Sequence, residues 1–377
     1  MTYRNPVIPG IDPDLAWDCD GNCWVHFSGL GGIARSRVDI ATGAFLDGPE
    51  ITWSGTGLRY PESRHLYKRD GTWYLLIAEG GTHGGHCVSV ARGPSPVGPW
   101  EGCPANPILT HRSTDAPIQN TGHADLVEFT DGSWWMVLLG VRPRGIGPGF
   151  HTLGRETFLV PVRWEEGWPV PGDLALEMPS APAARASLPA PGRETFDAAL
   201  GHHWVGVRRP PRDVSSLGAR PGWLLLHGGE QTLDTSPVFV GRRQQHRHCR
   251  VTTRVDAMSA TEAGLSVLLD SAAHYEVAVE GDRVVARGRV GGLAGVLGSA
   301  PGPHGPVVPT VGTEPDIHGP DAVSLGFIDD HGDAQTLARL DGRYLSSEVT
   351  GGFLGRLIGI YAVGGDAAFE WFDYEEA

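Results

Sequence analysis

Three polar residues with the chemistry of acids, bases or ligands stand at one distance before three turns. The turns are Asp20-Gly21, Asp70-Gly71 and Asp131-Gly132, and the residues eight positions before each Asp are Asp12, Glu62 and His123. Hydrophobic runs flank each Asp-Gly pair, which is typical of a β-hairpin. The common spacing predicts that the three side chains occupy equivalent places in repeated units.

The repeated units favour a β-propeller over residues 1–177. The turns recur 50 and 61 residues apart, a period typical of arrays of four-stranded sheets, in which each sheet buries its apolar face against a neighbour. Equivalent residues of successive blades point toward a common axis. We therefore expect an acid, a second acid and a histidine to converge on one pocket.

Composition favours two all-β domains with little helix. The 377 residues include 54 Gly and 30 Pro, and 40% are hydrophobic, which is enough for a core in each of two domains. Residues 178–193 are rich in Pro and Ala and are interpreted as a linker. Short alternating runs over residues 194–377 predict a C-terminal β-sandwich.

The net charge and the cysteine content indicate which classes of partner the chain binds and which cellular compartment it occupies. The 30 basic and 44 acidic residues give a net charge of −14, whereas nucleic acid and anionic membranes require a cationic face. We expect neither as a partner; a neutral sugar fits better. The five cysteines have no metal-site spacing and are expected to be reduced. No secretion signal or long apolar run is evident, which predicts a cytoplasmic chain.

Glu62 is the strongest candidate for catalysis. Glycoside hydrolysis uses one carboxyl group to protonate the leaving oxygen and a second to activate water or attack carbon. Pro61 fixes an extended approach to Glu62, and Tyr60 is close enough in sequence to shield one side of the carboxyl. Partial burial of this kind raises the pKa of a carboxyl toward that of an acid catalyst. The alternative is a glutamate in a surface loop.

The other candidates also have structural alternatives. Asp12 and Asp14 lie at the start of the first unit. Their structural alternative is a turn, because an Asp before Pro commonly caps one. His123 is able to bind a sugar hydroxyl, a water or a metal, although a histidine in a strand is more often only hydrogen-bonded structure. Arg155 has a fork of donors that suits a carboxylate or sugar hydroxyls, and its alternative is an ion pair with Glu156.

Several motifs closely resemble glycoside hydrolase family 43, specifically its two-domain β-xylosidases and α-L-arabinofuranosidases. The motifs are RYPE (59–62), YLLIAEGGT (74–82), NPILTHR (106–112), TGHADLV (121–127) and LGRETFL (153–159). Beyond the linker, EVTGGF (348–353) and FEWFDY (369–374) resemble the end of that group's C-terminal domain. The resemblance therefore covers nearly the whole chain.

The resemblance implies a five-bladed propeller followed by a concanavalin-like β-sandwich. It also implies removal of xylose or arabinose from the non-reducing ends of oligosaccharides, with inversion at the anomeric carbon and without a required cofactor. By matching motifs, Glu62 corresponds to the general acid, Arg155 to a substrate-binding arginine and Phe353 to an aromatic that closes the sugar pocket. His123 corresponds to an axial histidine that in relatives lies by a water or a divalent ion such as calcium.

The N-terminal region departs from the family pattern. Three units precede the linker instead of five, so the chain is expected to lack about two propeller blades. Residues 5–10 resemble the start of blade one, whereas residues 11–21 resemble the start of blade three. In the blade-three register Asp12 is the carboxylate that tunes the acid; in the blade-one register Asp14 is the base. One of the two roles is then vacant.

A second departure lies beside the acid. Ser63-Arg64 follow Glu62 where relatives have Gly-Pro, and a cation at Arg64 is expected to lower the pKa of that carboxyl. Two functions are therefore in competition: a working exo-glycosidase, and a catalytically impaired sugar-binding or vestigial homologue that lacks the base. An incomplete propeller also exposes edges, which predicts a homo-oligomer as the alternative to a monomer.

Overall fold

The computed structural model describes residues 8–29, 31–177 and 192–377. The chain divides into two compact units: unit one is Met1–Val141 with Glu156–Pro182, and unit two is Arg142–Arg155 with Ala183–Ala377. Of the predicted linker, residues 178–191 lie outside the described residues. Its last two residues, Gly192 and Arg193, begin a strand of unit two.

Unit one contains three small antiparallel sheets that follow one another along the chain. The first is made of β1 (Ile11–Trp17), β2 (Cys23–Gly29), β3 (Gly32–Asp39), β4 (Ala44–Phe45) and β5 (Glu50–Trp53). The second is made of β6 (Glu62–Arg69), β7 (Thr72–Glu79), β8 (Cys87–Gly93) and β9 (Glu101–Gly102). The third is made of β10 (Gln119–Glu128), β11 (Trp134–Val141), β12 (Glu156–Glu165) and β13 (Trp168–Pro171).

The three Asp-Gly turns join the first two strands of each sheet. Their glycines, Gly21, Gly71 and Gly132, have φ angles of 80°, 82° and 83°, a backbone conformation that glycine adopts without steric cost. Ile33, Leu75 and Ile77 form a buried cluster between the first and second sheets. Apolar side chains of the second and third sheets share another. Neighbouring sheets thus bury each other's faces, as propeller blades do.

The first strand of each sheet contains a β-bulge. The register shifts between Ile11 and Asp14 in β1, between Glu62 and His65 in β6, and between Gly122 and Asp125 in β10. The bulge residues Asp12, Ser63 and His123 all have positive φ, at 51°, 52° and 49°. The residue of the second sheet that is equivalent to Asp12 and His123 is therefore Ser63.

The predicted equivalence of Glu62 with Asp12 and His123 is therefore wrong by one position. Seven residues separate the bulge residue Ser63 from the turn's Asp70, whereas eight separate Asp12 from Asp20. Counting back from the turn consequently lands one residue early in β6. Glu62 instead occupies the place of Ile11 and Gly122, immediately before the bulge.

Unit two is a β-sandwich, as predicted, with a core shared by its two sheets. Its strands are β14 (Gly192–Glu194), β15 (Val205–Gly206), β16 (Ser215–Ser216), β17 (Leu224–His227), β18 (Val238–Arg243), β19 (Cys249–Asp256), β20 (Glu262–Asp270), β21 (Ala273–Glu280), β22 (Arg283–Val290), β23 (Leu293–Pro301), β24 (Val308–Glu314), β25 (Ala322–Ile328), β26 (Ala334–Asp341), β27 (Leu357–Val363) and β28 (Asp366–Glu376). The seven-stranded sheet runs β15-β18-β27-β20-β21-β22-β23. The other runs β16-β17-β28-β19-β24-β25-β26, with β14 also paired to β28.

Helix is scarce, as the composition predicted. The described residues contain α1 (Ser347–Thr350) and two 3-10 turns, Pro211–Asp213 and Gly342–Leu345. In the described part of the chain no helix has the length and apolar character needed to cross a membrane. The five cysteines, all within the described ranges, are free thiols.

Candidate active site

Glu62 lines an open cavity of about 320 Å³ in unit one. The rest of its wall is formed by Ile11, Ser28, Gly29, Gly31, Gly32, Leu58, Tyr60 and Pro61. Tyr60, 63% exposed, lines the same cavity. A glutamate on the wall of an open cavity that also presents an aromatic residue suits proton transfer to a bound sugar.

The segment before Glu62 is anchored by a buried carboxylate that the sequence interpretation passed over. Glu79 is fully buried; its Oε1 accepts from the Thr56 amide and its Oε2 from the Thr56 hydroxyl, each at 2.8 Å. The Gly80 amide donates to the Arg59 carbonyl at 2.7 Å. The sequence signal for this contact was Glu79 itself, an acidic residue that directly follows the apolar run of β7. A carboxylate that is buried with such a run must find hydrogen-bond partners.

Asp12 and Asp14 both contact the strand that carries Glu62. The Ser63 amide donates to Asp12 Oδ2 at 2.9 Å, and the Leu66 amide donates to Asp14 Oδ2 at 3.0 Å. Since Ser63 directly follows Glu62, the Asp12 carboxylate is held one residue from the candidate acid. Neither aspartate is among the residues that line the Glu62 cavity.

Arg64, the cation that the sequence places beside Glu62, is buried and is not among the residues that line the Glu62 cavity. Its guanidinium is buried and donates to the His26 and Ile11 carbonyls. Burial lowers the pKa of Arg64 to about 10, although the negative charges of Asp14 and Asp12 act to raise it. The cation therefore faces the two aspartates, and Glu62 is the only one of these groups on the cavity wall.

The third sheet meets the second through a tyrosine. Tyr67 of β6 donates its hydroxyl to the Asp125 carboxylate and accepts from the Leu126 amide at 2.8 Å. Burial, reinforced by Asp125, raises the pKa of Tyr67 well above its usual value. This contact fixes β10, and with it His123, against the strand of Glu62.

His123 is at the bulge of β10 and is not among the residues lining the Glu62 cavity. Among the described residues, no group of three or more His, Cys, Asp or Glu side chains is arranged to hold a metal ion. Calcium takes about six to eight oxygen ligands. No chemical step is therefore assigned to a divalent ion at His123.

Arg155 and Phe353 meet within unit two. The Arg155 guanidinium carbon lies 4.4 Å from the centre of the Phe353 ring, a cation–π contact. Phe353 is 55% exposed and follows two glycines, Gly351 and Gly352, with φ angles of 79° and 75°. The two residues that the resemblance assigned to substrate thus form one pair, of a half-buried Arg155 and an exposed Phe353.

A partly buried ion pair between His151 and Glu348 holds the chain next to Arg155. His151 Nδ1 donates to Glu348 Oε1 at 2.5 Å, and the His151 amide donates to Glu348 Oε2 at 3.1 Å. Although burial opposes ionisation, the hydrogen bond and charge of His151 hold the pKa of Glu348 below its usual value. The Arg356 amide also donates to the Thr152 carbonyl at 3.1 Å. Sequence analysis missed this pair, whose members are 197 residues apart.

Comparison with known protein families matches two regions of the chain, one to each of two family models. Residues 3–169 match Glycosyl hydrolases family 43, and residues 193–375 match the Beta xylosidase C-terminal Concanavalin A-like domain. The non-reducing end alpha-L-arabinofuranosidase BoGH43B of Bacteroides ovatus is 33% identical over 99% of this chain and 75% of its own length. A xylosidase/arabinosidase of Butyrivibrio fibrisolvens is 35% identical over 72% of this chain and 57% of its own.

Solved structures show the same likeness. The crystal structure of the GH43 BlXynB protein from Bacillus licheniformis superposes with a TM-score of 0.83 at 29% identity, over 98% of this chain and 75% of that protein. The Bacteroides ovatus xyloglucan PUL GH43B gives a TM-score of 0.85 at 32% identity, over 98% of this chain and 76% of the other. This chain thus spans about three quarters of each.

Proposed function

The chain belongs to glycosyl hydrolases family 43 and is a glycosidase, and on that premise we propose that it removes single xylosyl or arabinosyl residues from the non-reducing ends of oligosaccharides. The support is twofold. Relatives matched over most of this chain are named as xylosidases and arabinofuranosidases, and the motif glutamate, Glu62, lines an open cavity of about 320 Å³. A cavity of this volume accommodates a small sugar.

We assign Glu62 as the general acid. A protonated Glu62 donates its proton to the glycosidic oxygen as the bond to the anomeric carbon breaks, and an ionised carboxylate takes a proton from the attacking water. The water enters on the opposite face of the sugar, so the configuration inverts. Two carboxyl groups suffice for this chemistry, and it calls on no cofactor.

The two aspartates are assigned different parts. Asp12 is a positioning residue, because its carboxylate accepts from the amide that directly follows Glu62 and so fixes the backbone that carries the acid. Asp14 is the remaining candidate for the base. An inverting pair needs carboxyl groups about 6.5–9.5 Å apart. Arg155 and Phe353 are proposed to bind the substrate, by analogy with the family's motifs.

One observation favours a second candidate, a sugar-binding homologue without a base. Both aspartates accept from amides of the same strand, β6, and neither lines the cavity of Glu62. A protein of this kind would bind xylose or xylobiose with no hydrolysis at any pH. The two candidates differ in turnover and agree in binding, so one assay separates them.

The assay is release of nitrophenol from nitrophenyl xyloside and nitrophenyl arabinofuranoside. We expect turnover by the wild type, loss of about 100-fold or more in Glu62→Gln, and a comparable loss in Asp14→Asn if it is the base. Glu101→Gln, which changes an exposed glutamate of β9, serves as the matched control. Equal turnover by Glu62→Gln and wild type, with the fold intact, eliminates Glu62 as the acid. Sugar binding without wild-type turnover establishes the second candidate.

A further inference from the structure

A second cavity, of about 480 Å³, lies in unit one at the turn end of the second and third sheets. It is lined by Lys68, Arg69, Asp70, Glu128, Gly132, Ser133, Trp134, Trp135, Pro161, Val162 and Trp164. Glu62 begins β6 and Arg69 ends it, so the two cavities are separated by about 23 Å at the rise of a strand. The second cavity is therefore independent of the proposed active site.

Three tryptophans give this cavity a rigid aromatic wall. The rings of Trp134 and Trp164 meet edge to face with centroids 5.2 Å apart, and Tyr74 packs edge to face on Trp164 at 4.9 Å. The Arg69 guanidinium covers another side of Trp164 at 4.5 Å. The Trp135 indole N–H donates to the Ser133 hydroxyl at 2.9 Å. Rings held in this way present apolar surface to a ligand at little entropic cost.

The rim of the cavity supplies donors and acceptors in balance. Lys68 and Arg69 carry positive charge, Asp70 and Glu128 carry negative charge, and Arg69 pairs with Asp70 at 3.0 Å. The Asp70 side chain is 77% exposed, so its carboxylate remains open to a ligand. Two charges of each sign favour neither an anion nor a cation. Hydroxyl groups, which both donate and accept, match this rim best.

We propose that this cavity is a second carbohydrate-binding site, in which a pyranose or furanose ring packs on the Trp134 indole while its hydroxyls bond to Asp70 and Glu128. The site has no catalytic role. It holds a neutral oligosaccharide away from the Glu62 cavity and so raises the concentration of polymeric substrate near the enzyme. The choice of a pentose oligosaccharide as ligand rests on the proposed function; the existence of the site does not.

The test is calorimetric titration of the full chain with xylohexaose and with an arabino-oligosaccharide, comparing the wild-type cavity with Trp134→Ala and Glu128→Ala, all three carrying Glu62→Gln so that the titrant is not hydrolysed during the measurement. Because Trp134 also packs against the core of unit one, the exposed Glu128 provides the variant that leaves packing unchanged. We expect two binding events with the wild-type cavity, loss of one in Trp134→Ala and at least five-fold weakening of the same one in Glu128→Ala. Trp17→Ala, an exposed tryptophan of β1, is the matched control and keeps both events.

A single binding event with the wild-type cavity, or a second event unchanged in both variants, overturns the site. Turnover of nitrophenyl pentosides, which are too small to reach both cavities, is expected to stay within two-fold of wild type in Glu128→Ala. The two proposals therefore fail separately. If the wild type turns over nitrophenyl pentosides but shows no oligosaccharide binding that depends on Glu128 and Trp134, only the second site is refuted. If it shows that binding but no turnover, only the catalytic proposal is refuted.

Discussion

Replacing Glu348 by alanine is expected to release the segment next to Arg155 from the sandwich of unit two. Glu348 accepts two hydrogen bonds from His151, one from the ring at 2.5 Å and one from the amide at 3.1 Å. The His151 side chain is buried and that of Glu348 is 24% exposed. The alanine variant therefore leaves a buried amide and a buried imidazole without their acceptor.

The size of the effect follows from these two bonds. Both hydrogen bonds end on the ionised carboxylate, and a hydrogen bond to a charged group contributes about 1.5–3 kcal/mol. Because the Glu348 side chain is 24% exposed, water offsets part of the loss, and the variant is expected to lose about 2–4 kcal/mol. For a unit of this size each kcal/mol lowers Tm by about 2–4 °C. The unfolding transition of unit two should fall by roughly 4–16 °C. The KM for nitrophenyl pentosides should rise more than kcat falls, because Arg155 is proposed to bind substrate.

The pH dependence provides a second check. The pKa of Glu348 is lowered from its usual 4.5 in the folded protein, so its contribution is fully present above that pH and is lost as pH falls through the lower folded value. Differential scanning calorimetry should show a large gap between wild type and Glu348→Ala at pH 7 that narrows below pH 4. Glu375→Ala, on the exposed end of β28, is the control. A gap under 1 °C at pH 7, or one that does not narrow as the pH falls below 4.5, refutes the reasoning.

Three further predictions concern buried groups. Arg356→Met leaves the carboxylate of Asp321 buried without its bidentate partner and should cost about 3–5 kcal/mol in urea unfolding; adding Asp321→Leu should restore most of it. Burial, with help from nearby Arg64, lowers the pKa of His26 to about 3 from 6.5, so between those values only the unfolded chain binds this proton. Stability should then fall by up to about 1.4 kcal/mol per pH unit below pH 6.5, and His26→Gln should flatten that slope. Glu79→Gln should raise KM for nitrophenyl pentosides, because the buried carboxylate anchors Thr56 in the segment that leads to Glu62; an unchanged KM contradicts that role.

The sequence predicted the architecture because its signals are local. Asp-Gly turns with positive φ at glycine mark the hairpins, and alternating apolar residues mark the sandwich. The same counting misplaced Glu62 by one residue, since nothing in the spacing shows where a β-bulge falls. The bulge at Ser63 also interrupts the alternation of side chains along β6, and the Arg64 guanidinium consequently lies in the interior, where it donates to the His26 carbonyl.

Long-range pairs were beyond the reach of sequence patterns. His151 and Glu348 are 197 residues apart, and neither stands in a periodic run that would suggest a partner. The second cavity was missed for a related reason. Trp134 and Trp164 lie on different strands, and only the meeting of two turn ends places charged side chains around them.

The central claim is that Glu62 protonates the leaving group. The most direct test is how the activity lost in Glu62→Gln depends on the leaving group of the substrate. A substrate with a poor leaving group, xylobiose, needs a proton donor, whereas dinitrophenyl xyloside carries a leaving group that departs without one. We predict that Glu62→Gln loses about 1,000-fold or more in kcat/KM on xylobiose while it keeps most of the wild-type rate on dinitrophenyl xyloside. Equal losses on both substrates, or no loss on either, would contradict the account.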